Sequence, residues 1–310
     1  MADGVAMAGS HAARGALRRA APSEALGAWL LMLPAMLAYI LMLLVPTLAM
    51  LALAFTDYEF GARTFRWIGL ANFQEMLADR GAMQAVRNTA WYVLFVTPIS
   101  IALGLLLAVL IDSGVRGRTT FRAIFFLPVV SLTVAMAVAW QYMLHPTIGP
   151  VNGLLRALGG PTPNWFGASE MVMIALGFIG IWENVGFNMV LFLAGLTAIP
   201  RDLYAAAEVD GAKGAWGRFW LVTWPMLGPT TLFVVTITTI RSIRVFDTVA
   251  TLTQGGPNKA SEVLLHTMYL EGFHYFRMGY SAAITFVFLA AVLVMMLIQT
   301  RLIDRRVHYG

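Results

Sequence analysis

Six long apolar runs, separated by shorter polar and basic stretches, dominate the pattern along the chain. They cover about residues 28–54, 91–111, 123–144, 171–196, 230–249 and 281–302, and crossing about 30 Å of hydrocarbon at the helical rise needs roughly 20 residues. The pattern predicts an all-α integral membrane protein with six transmembrane helices. The fifth run is the weakest, because Arg241, Arg244 and Asp247 fall in its second half. Pro34, Pro46, Pro98 and Pro128 lie within or near the runs and are expected to be kinks that packing tolerates. Methionine and aromatic stripes are expected to face lipid or core. The first run follows Arg14, Arg18 and Arg19, as in a signal peptide, but it exceeds the usual core of roughly 7–15 residues and has no clear cleavage site, so it is expected to be a retained span.

Short basic linkers orient the spans. Arg116, Arg118 and Arg122 lie between the second and third, Arg201, Lys213 and Arg218 between the fourth and fifth, and Arg301, Arg305 and Arg306 after the sixth. With the N-terminal arginines they fall on one side, which the positive-inside rule makes cytoplasmic, so both termini are expected there. On the other side Arg63, Arg66, Arg80 and Arg87 are mixed with Asp57, Glu59, Glu75 and Asp79. Composition agrees: 59% of the 310 residues are hydrophobic and 12% charged, against roughly 45–50% and about 25% in soluble domains. The absence of cysteine excludes disulfides, thiolate metal sites and a cysteine nucleophile, and the 5 histidines have no ligand spacing, so no metal site is expected. The net charge of +5 sits in clusters between apolar runs, which argues against nucleic acid as a partner.

The stretch 199–225, between the fourth and fifth runs, is no ordinary connector. Pro200 can open a helix and Asp202 suits its positive end. Leu203 to Val209 favours helix, and Asp210 with Gly211 is a turn signal. A second short helix, at about 215–223, is expected to end before Pro225. The product is a cytoplasmic helix-turn-helix knob, rich in small residues on one side and able to seat in a groove of another protein.

That segment resembles the coupling motif of binding-protein-dependent ABC importer permeases, written Glu-Ala-Ala, three residues, Gly, a spacer and Ile-x-Leu-Pro. Ala206, Ala207, Asp210, Gly211, Ala212 and Pro225 match, whereas Ala205 replaces the leading Glu and Trp224 the final Leu. Glu208 lies one helical turn beyond Ala205. Further similarity to the sugar-importer branch runs over nearly the whole chain: Trp67 to Phe73, Asn88-Thr89, Leu127-Pro128, Trp140, Gly149 to Asn152, Ala194 to Leu196, Ile199-Pro200, Phe246-Asp247, Thr253 to Pro257 and Met278 to Tyr280. The resemblance implies the type I ABC importer permease fold with a cytoplasmic coupling helix, and assigns Ala205, Ala206, Ala207, Glu208, Asp210, Gly211 and Ala212 to ATPase coupling. No Gly-x-x-x-x-Gly-Lys-Ser/Thr occurs, so this subunit carries no cofactor, and ATP and Mg are expected in a partner ATPase.

In maltose-type members the solute touches the middle of the helices matching spans three to five. By register this nominates Val129 and Thr133, then Glu183, Asn184 and Asn188, then Thr238 and Ser242. Independently, Glu183, Arg241 and Arg244 are ionisable residues apparently within the membrane, where charge is costly unless paired or facing water. Arg241 and Arg244, three apart, share a helix face. They either bind solute through planar guanidinium forks, suited to phosphate, uronate or an array of ring hydroxyls, or pair internally with Glu183 or Asp247, or stand at the water boundary of a span that ends early.

The expected whole is a cytoplasmic tail at 1–25, a permease domain at 26–302 containing the coupling segment 200–225, and a second tail at 303–310. It is expected in a bacterial inner membrane, supplying half of a pathway for a sugar or related polar solute. The expected partners are a second permease, an ATP-binding subunit dimer, a periplasmic substrate-binding protein and membrane lipid. A self-sufficient secondary transporter is the alternative, but it calls for inverted repeats and an ion site, and no internal repeat is evident. A membrane enzyme would need clustered acids or histidines at the bilayer edge.

Overall fold

The computed structural model describes residues 22–114, 117–212 and 214–304. Of the basic residues that set the expected orientation, Arg14, Arg18, Arg19, Arg116, Lys213, Arg305 and Arg306 lie outside them. The described residues are helices joined by turns and loops, with one isolated bridge between Thr56 and Trp67, and the chain divides into two compact units, Met1–Ala52 and Leu53–Gly310.

The first helix, α1, runs through Pro22–Tyr39, a π turn at Ile40–Leu44 and Val45–Leu53. It begins inside the segment assigned to the tail, because a proline at the first position gives up no hydrogen bond. Pro46 has no N–H to offer the carbonyl of Met42, and the π turn just ahead of it widens the helix so that the chain continues without a break.

In the second unit follow α2 (Ala71–Ala78), α3 (Arg80–Asp112), α4 (Arg118–Val130), α5 (Thr133–Met143), α6 (Pro150–Ala157), α7 (Ser169–Thr197) and α8 (Arg201–Val209). Next come α9 (Gly214–Met226, with a π turn at Phe219–Thr223), α10 (Gly228–Ile243), α11 (Asp247–Leu252), α12 (Leu264–Tyr269, extended by a π turn at Leu270–His274) and α13 (Met278–Asp304). The start of α3 is set by Asp79, whose carboxylate accepts from the Gly81 amide at 2.7 Å and adds polar turns before the apolar run.

Among the described residues, α1, α3, α7 and α13 are each unbroken and apolar enough to cross a membrane, and the number reaches 6 if two bent pairs each count as one span. The third apolar run is not one helix. Between α4 and α5 the axis turns by 104°. Pro128 cannot donate within the last turn of α4, and Ser131 completes the stop: its amide reaches Pro128 O at 3.3 Å and its hydroxyl takes Leu127 O at 2.7 Å. Pro128 is thus part of a break rather than a tolerated kink. The fifth run is also interrupted, with α10 ending at Ile243 and α11 beginning at Asp247. In the knob, α9 does not stop before Pro225. The π turn resets the helical register so that Pro225 stands in the first turn of a new α segment, where its missing N–H is not needed.

Lipid tails are as apolar as leucine, so close packing of small residues holds such helices together. On α7, a Cβ at Gly180 would strike the Tyr92 hydroxyl of α3, and one at Gly186 would strike the Phe125 carbonyl of α4. Glycine at these two positions lets α3 and α4 close on α7. Asn188 joins the same packing: it donates to Ser100 Oγ at 3.4 Å and accepts from Thr238 Oγ1 at 2.7 Å, tying α7 to α3 and α10.

Buried asparagines brace the loops. Asn72 donates to Ala54 O and Thr56 O at 2.9 and 2.8 Å. Asn88 donates to Ala260 O and Glu262 O at 2.9 and 2.8 Å. Asn152 donates to Pro146 O and Pro163 O and accepts from the Trp165 indole at 2.8 Å. Beside Asn88, the buried Glu262 carboxylate meets His266 Nδ1 at 2.8 Å and the Thr267 hydroxyl at 3.0 Å. Arg277 joins Glu75 to Glu271, the latter at 3.2 Å. Burial pushes the Glu271 carboxyl up, with the Arg277 guanidinium opposing and Asp79 and Glu75 reinforcing.

Candidate functional site

The two interrupted helices open onto one cavity of about 360 Å³. Its wall takes Pro128, Val129, Ser131, Thr133 and Met136 from the α4–α5 break, and Arg244, Val245, Phe246, Asp247 and Thr248 from the α10–α11 break. Tyr92 of α3, Glu183 and Asn184 of α7 and Arg241 of α10 complete it. Non-helical backbone is tolerated at membrane depth where it lines a cavity or is buried in protein, so these breaks are the local cost of a polar wall.

Of the nine residues expected to meet solute, the structure gathers Val129, Thr133, Glu183, Asn184, Arg241 and Arg244 on this wall. Asn188, Thr238 and Ser242 lie elsewhere. Asn188 and Thr238 are buried and bonded to each other, and the Ser242 hydroxyl is buried with no hydrogen-bond partner. The same matching by register nominated them with Val129, Thr133, Glu183 and Asn184, but Asn188 lies one turn beyond Asn184, at a level where α3 and α10 close on α7. Tyr92, Ser131, Met136 and Thr248 are wall residues with no distinguishing sequence signal. Asp247 and Phe246 had one, in the similarity to importer permeases.

Among the described residues Arg241 does not pair with a carboxylate. Its Nε donates to Asn184 Oδ1 at 3.0 Å, its guanidinium lies 4.7 Å from the centre of the Phe187 ring, and Asn184 is steadied by donating to Gly180 O at 2.8 Å. Among the described residues, Glu183, Arg244 and Asp247 enter no ion pair, and the internal network expected as one alternative is not formed. The early-ending alternative is partly met: α10 does end at Ile243, and Arg244 follows its last turn. The span nevertheless resumes in α11. The wall therefore offers two guanidinium groups, two carboxylates and hydroxyls, with Arg241, Arg244 and Asp247 exposed to the cavity mouth. Such a set can donate to and accept from the same polyhydroxylated or partly charged solute.

The knob is formed as the sequence indicates. Asp210 closes α8 and Gly211, at φ +91°, makes the turn in a backbone region that side chains other than glycine resist. Ala205, Ala206, Glu208, Asp210 and Gly211 are exposed, and so are Leu203 and Val209. Ala207 is buried and Ala212 half-buried, both in the apolar cluster that includes Val222 and Leu227, so they anchor the knob rather than present a surface. Glu208 pairs with Arg218 at 2.7 Å. Among the described residues no group of His, Asp or Glu could hold a metal ion.

Residues 100–309 match the family model described as binding-protein-dependent transport system inner membrane component. The chain is 32% identical over 247 residues to the sn-glycerol-3-phosphate transport system permease protein UgpA of Agrobacterium fabrum, covering 79% of this chain and 83% of that one. It is 34% identical over 274 residues to the osmoprotective compounds uptake permease protein GgtC of Synechocystis, covering 86% and 95%. A chain in the crystal structure of a bacterial alginate ABC transporter in complex with an alginate pentasaccharide-bound periplasmic protein superposes with a TM-score of 0.79 at 24% identity, covering 91% of this chain and 96% of that one. The all-α ABC importer permease fold that the sequence resemblance implies is the fold observed.

Proposed function

The chain belongs to the family of binding-protein-dependent transport system inner membrane components and is a multi-pass permease subunit of an ABC importer, and we propose that its work is divided between two places: the cavity at the helix breaks takes the solute, and the α8 turn receives an ATPase. The secondary-transporter alternative has no support in this membership. A second permease completes the pathway, and a periplasmic protein delivers a sugar, polyol or related polar solute to it. ATP and Mg belong to the ATP-binding dimer, with no cofactor in this subunit. Both termini and the knob lie in the cytoplasm, the orientation favoured by the basic linkers.

One observation carries the solute reading: four ionisable side chains line a cavity in a membrane domain without an ion pair among them. Intramembrane charges are costly when left unpaired, and a polar solute is the partner such a wall lacks. Val129, Thr133, Glu183, Asn184, Arg241 and Arg244 are the contacts, with Tyr92 and Asp247 added. The exposed Ala205, Ala206, Glu208, Asp210 and Gly211 face the ATPase, with Ala207 and Ala212 supporting them from beneath.

The test is a complex purified from native membranes through a tag on this chain and reconstituted in vesicles. ATP hydrolysis stimulated by the solute-loaded binding protein, and uptake that requires ATP, are expected. Uptake driven by an ion gradient with no ATPase present would overturn the reading.

A further inference from the structure

The knob's second helix carries a feature that ATPase coupling does not use. On α9 the rings of Trp216, Phe219, Trp220 and Trp224 form one contiguous cluster, with centroid separations from 5.3 Å between Phe219 and Trp220 to 6.3 Å between Phe219 and Trp224. Trp216 is 74% exposed, Trp220 50% and Trp224 40%, and Leu221 and Met226 are exposed beside them. The opposite side of α9 is occupied: Val222 and Thr223 are buried, Thr223 hydrogen-bonds the Tyr204 hydroxyl at 3.1 Å, and Arg218 pairs with Glu208. Three indoles spaced by four residues thus turn away from the protein on one side of a helix whose other side is pinned to α8.

We propose that this aromatic face is an interfacial anchor, seated at the headgroup and acyl boundary of the leaflet on the knob's side. The axis bends by 69° between Gly214–Met226 and the segment Gly228–Leu252, which opens with α10. If the helix beginning at Gly228 crosses the bilayer along its normal, that bend leaves α9 within about 20° of the membrane plane. Indole rings have an apolar body and one N–H donor, which is why tryptophan gathers at this depth. Further along the chain, Phe233 of α10 is 53% exposed. Through Tyr204–Thr223 and Glu208–Arg218 the anchor holds α8 at a fixed height below the bilayer, so a force applied to the knob reaches α10 rather than tilting α9 freely. The inference rests on reading α10 as a membrane crossing.

The chain has no cysteine, so single-cysteine variants Trp216→Cys, Trp220→Cys, Trp224→Cys, Val209→Cys and Phe233→Cys can each carry one bimane label in the assembled importer in lipid nanodiscs. Lipids spin-labelled at a shallow or a deep acyl carbon, and aqueous iodide, serve as quenchers. Labels at 216, 220 and 224 should lose most of their fluorescence to the shallow lipid and little to iodide, the label at 209 should respond to iodide when the ATPase is omitted, and that at 233 to the deep lipid. Iodide access at 216, 220 and 224 equal to that at 209 overturns the anchor. So does protection that appears only when the ATP-binding subunits are present, which would make the cluster a protein contact. A label at 233 blind to deep lipid would instead break the crossing on which the inference rests. If a cysteine variant fails to assemble, the chain carrying Trp216→Phe, Trp220→Phe and Trp224→Phe replaces it: the intrinsic fluorescence it loses relative to the parent must be the part quenched by brominated lipid, and an unquenched difference overturns the proposal.

Discussion

Glu183 on α7 and Glu262 in the loop before α12 are both carboxylates, and their surroundings are opposite. Glu262 is buried with His266 Nδ1 and the Thr267 hydroxyl on one oxygen, and the loop carrying it is tied by Asn88 and Thr89 to α3. Glu183 faces a cavity with Arg241, Arg244 and Asp247 and pairs with none of them. A buried polar group that is fully partnered makes a joint, and its loss costs stability; one left open on a cavity wall holds no other element in place. The same distinction separates Asn88, Asn72 and Asn152, which serve backbone carbonyls, from Asn184, which presents Arg241 to the cavity.

The strongest way to break this comparison is at Glu262. Glu262→Ala leaves the buried His266 Nδ1 without its partner, at about 1–3 kcal/mol, and the Thr267 hydroxyl with only the Val263 carbonyl. We expect a large loss in the yield of folded complex after detergent extraction, measured by size-exclusion chromatography. Near-normal yield would show that a satisfied pair here is no more structural than the open one.

At the cavity the expectation reverses. Arg241→Lys and Arg244→Lys should assemble at near-normal yield, while uptake in vesicles falls about ten- to a hundredfold, because an ammonium cannot reproduce a planar fork worth about 1.5–3 kcal/mol to a charged partner. Since no ion pair joins Glu183 to Arg241, the double variant Glu183→Gln, Arg241→Gln should show yields that add within about 0.5 kcal/mol. A rescue of yield in the double variant would mean that the closed network forms after all.

The knob gives a smaller and more selective effect. Ala206→Trp, at an exposed position, should leave the chain folded, and Gly211→Pro, which cannot take the turn's φ of +91°, should distort the knob alone; both should reduce uptake by about tenfold while the two permeases still copurify. Normal uptake with a tryptophan at 206 would place the docking surface elsewhere.

The smallest effect is a pH dependence at Glu271. Its carboxyl is held above the ordinary range by burial, so the proton is bound more tightly in the folded chain. The stabilisation is complete below the ordinary glutamate value of about 4.3 and is lost as pH rises through the raised value. Glu271→Gln should flatten that decline in the melting profile of the purified complex, by less than about 2 °C because the Arg277 guanidinium opposes the effect of burial. A steeper decline in the variant would reverse the sign and assign the dependence to other groups.

The amino-acid sequence by itself determined the class of protein and the places where chemistry concentrates. Apolar length marks a crossing whatever packs beside it, so six runs were legible, and the turn at Asp210-Gly211 is local backbone chemistry that needs no neighbour. Glu183 and Arg241 stood out because charge within an apolar run is costly in any fold. Tertiary structure decided which of these residues share a wall. Val129 and Thr133 reach the cavity because Pro128 and Ser131 stop α4, and a 104° turn follows. Asn188 and Asn184 are both polar residues of one helix, one turn apart, yet one bonds Thr238 inside the packing and the other presents Arg241 to the cavity. Residues one turn apart share a helix face, so identity along the chain says what a side chain can bond, while only the neighbouring helices at each level say what it meets.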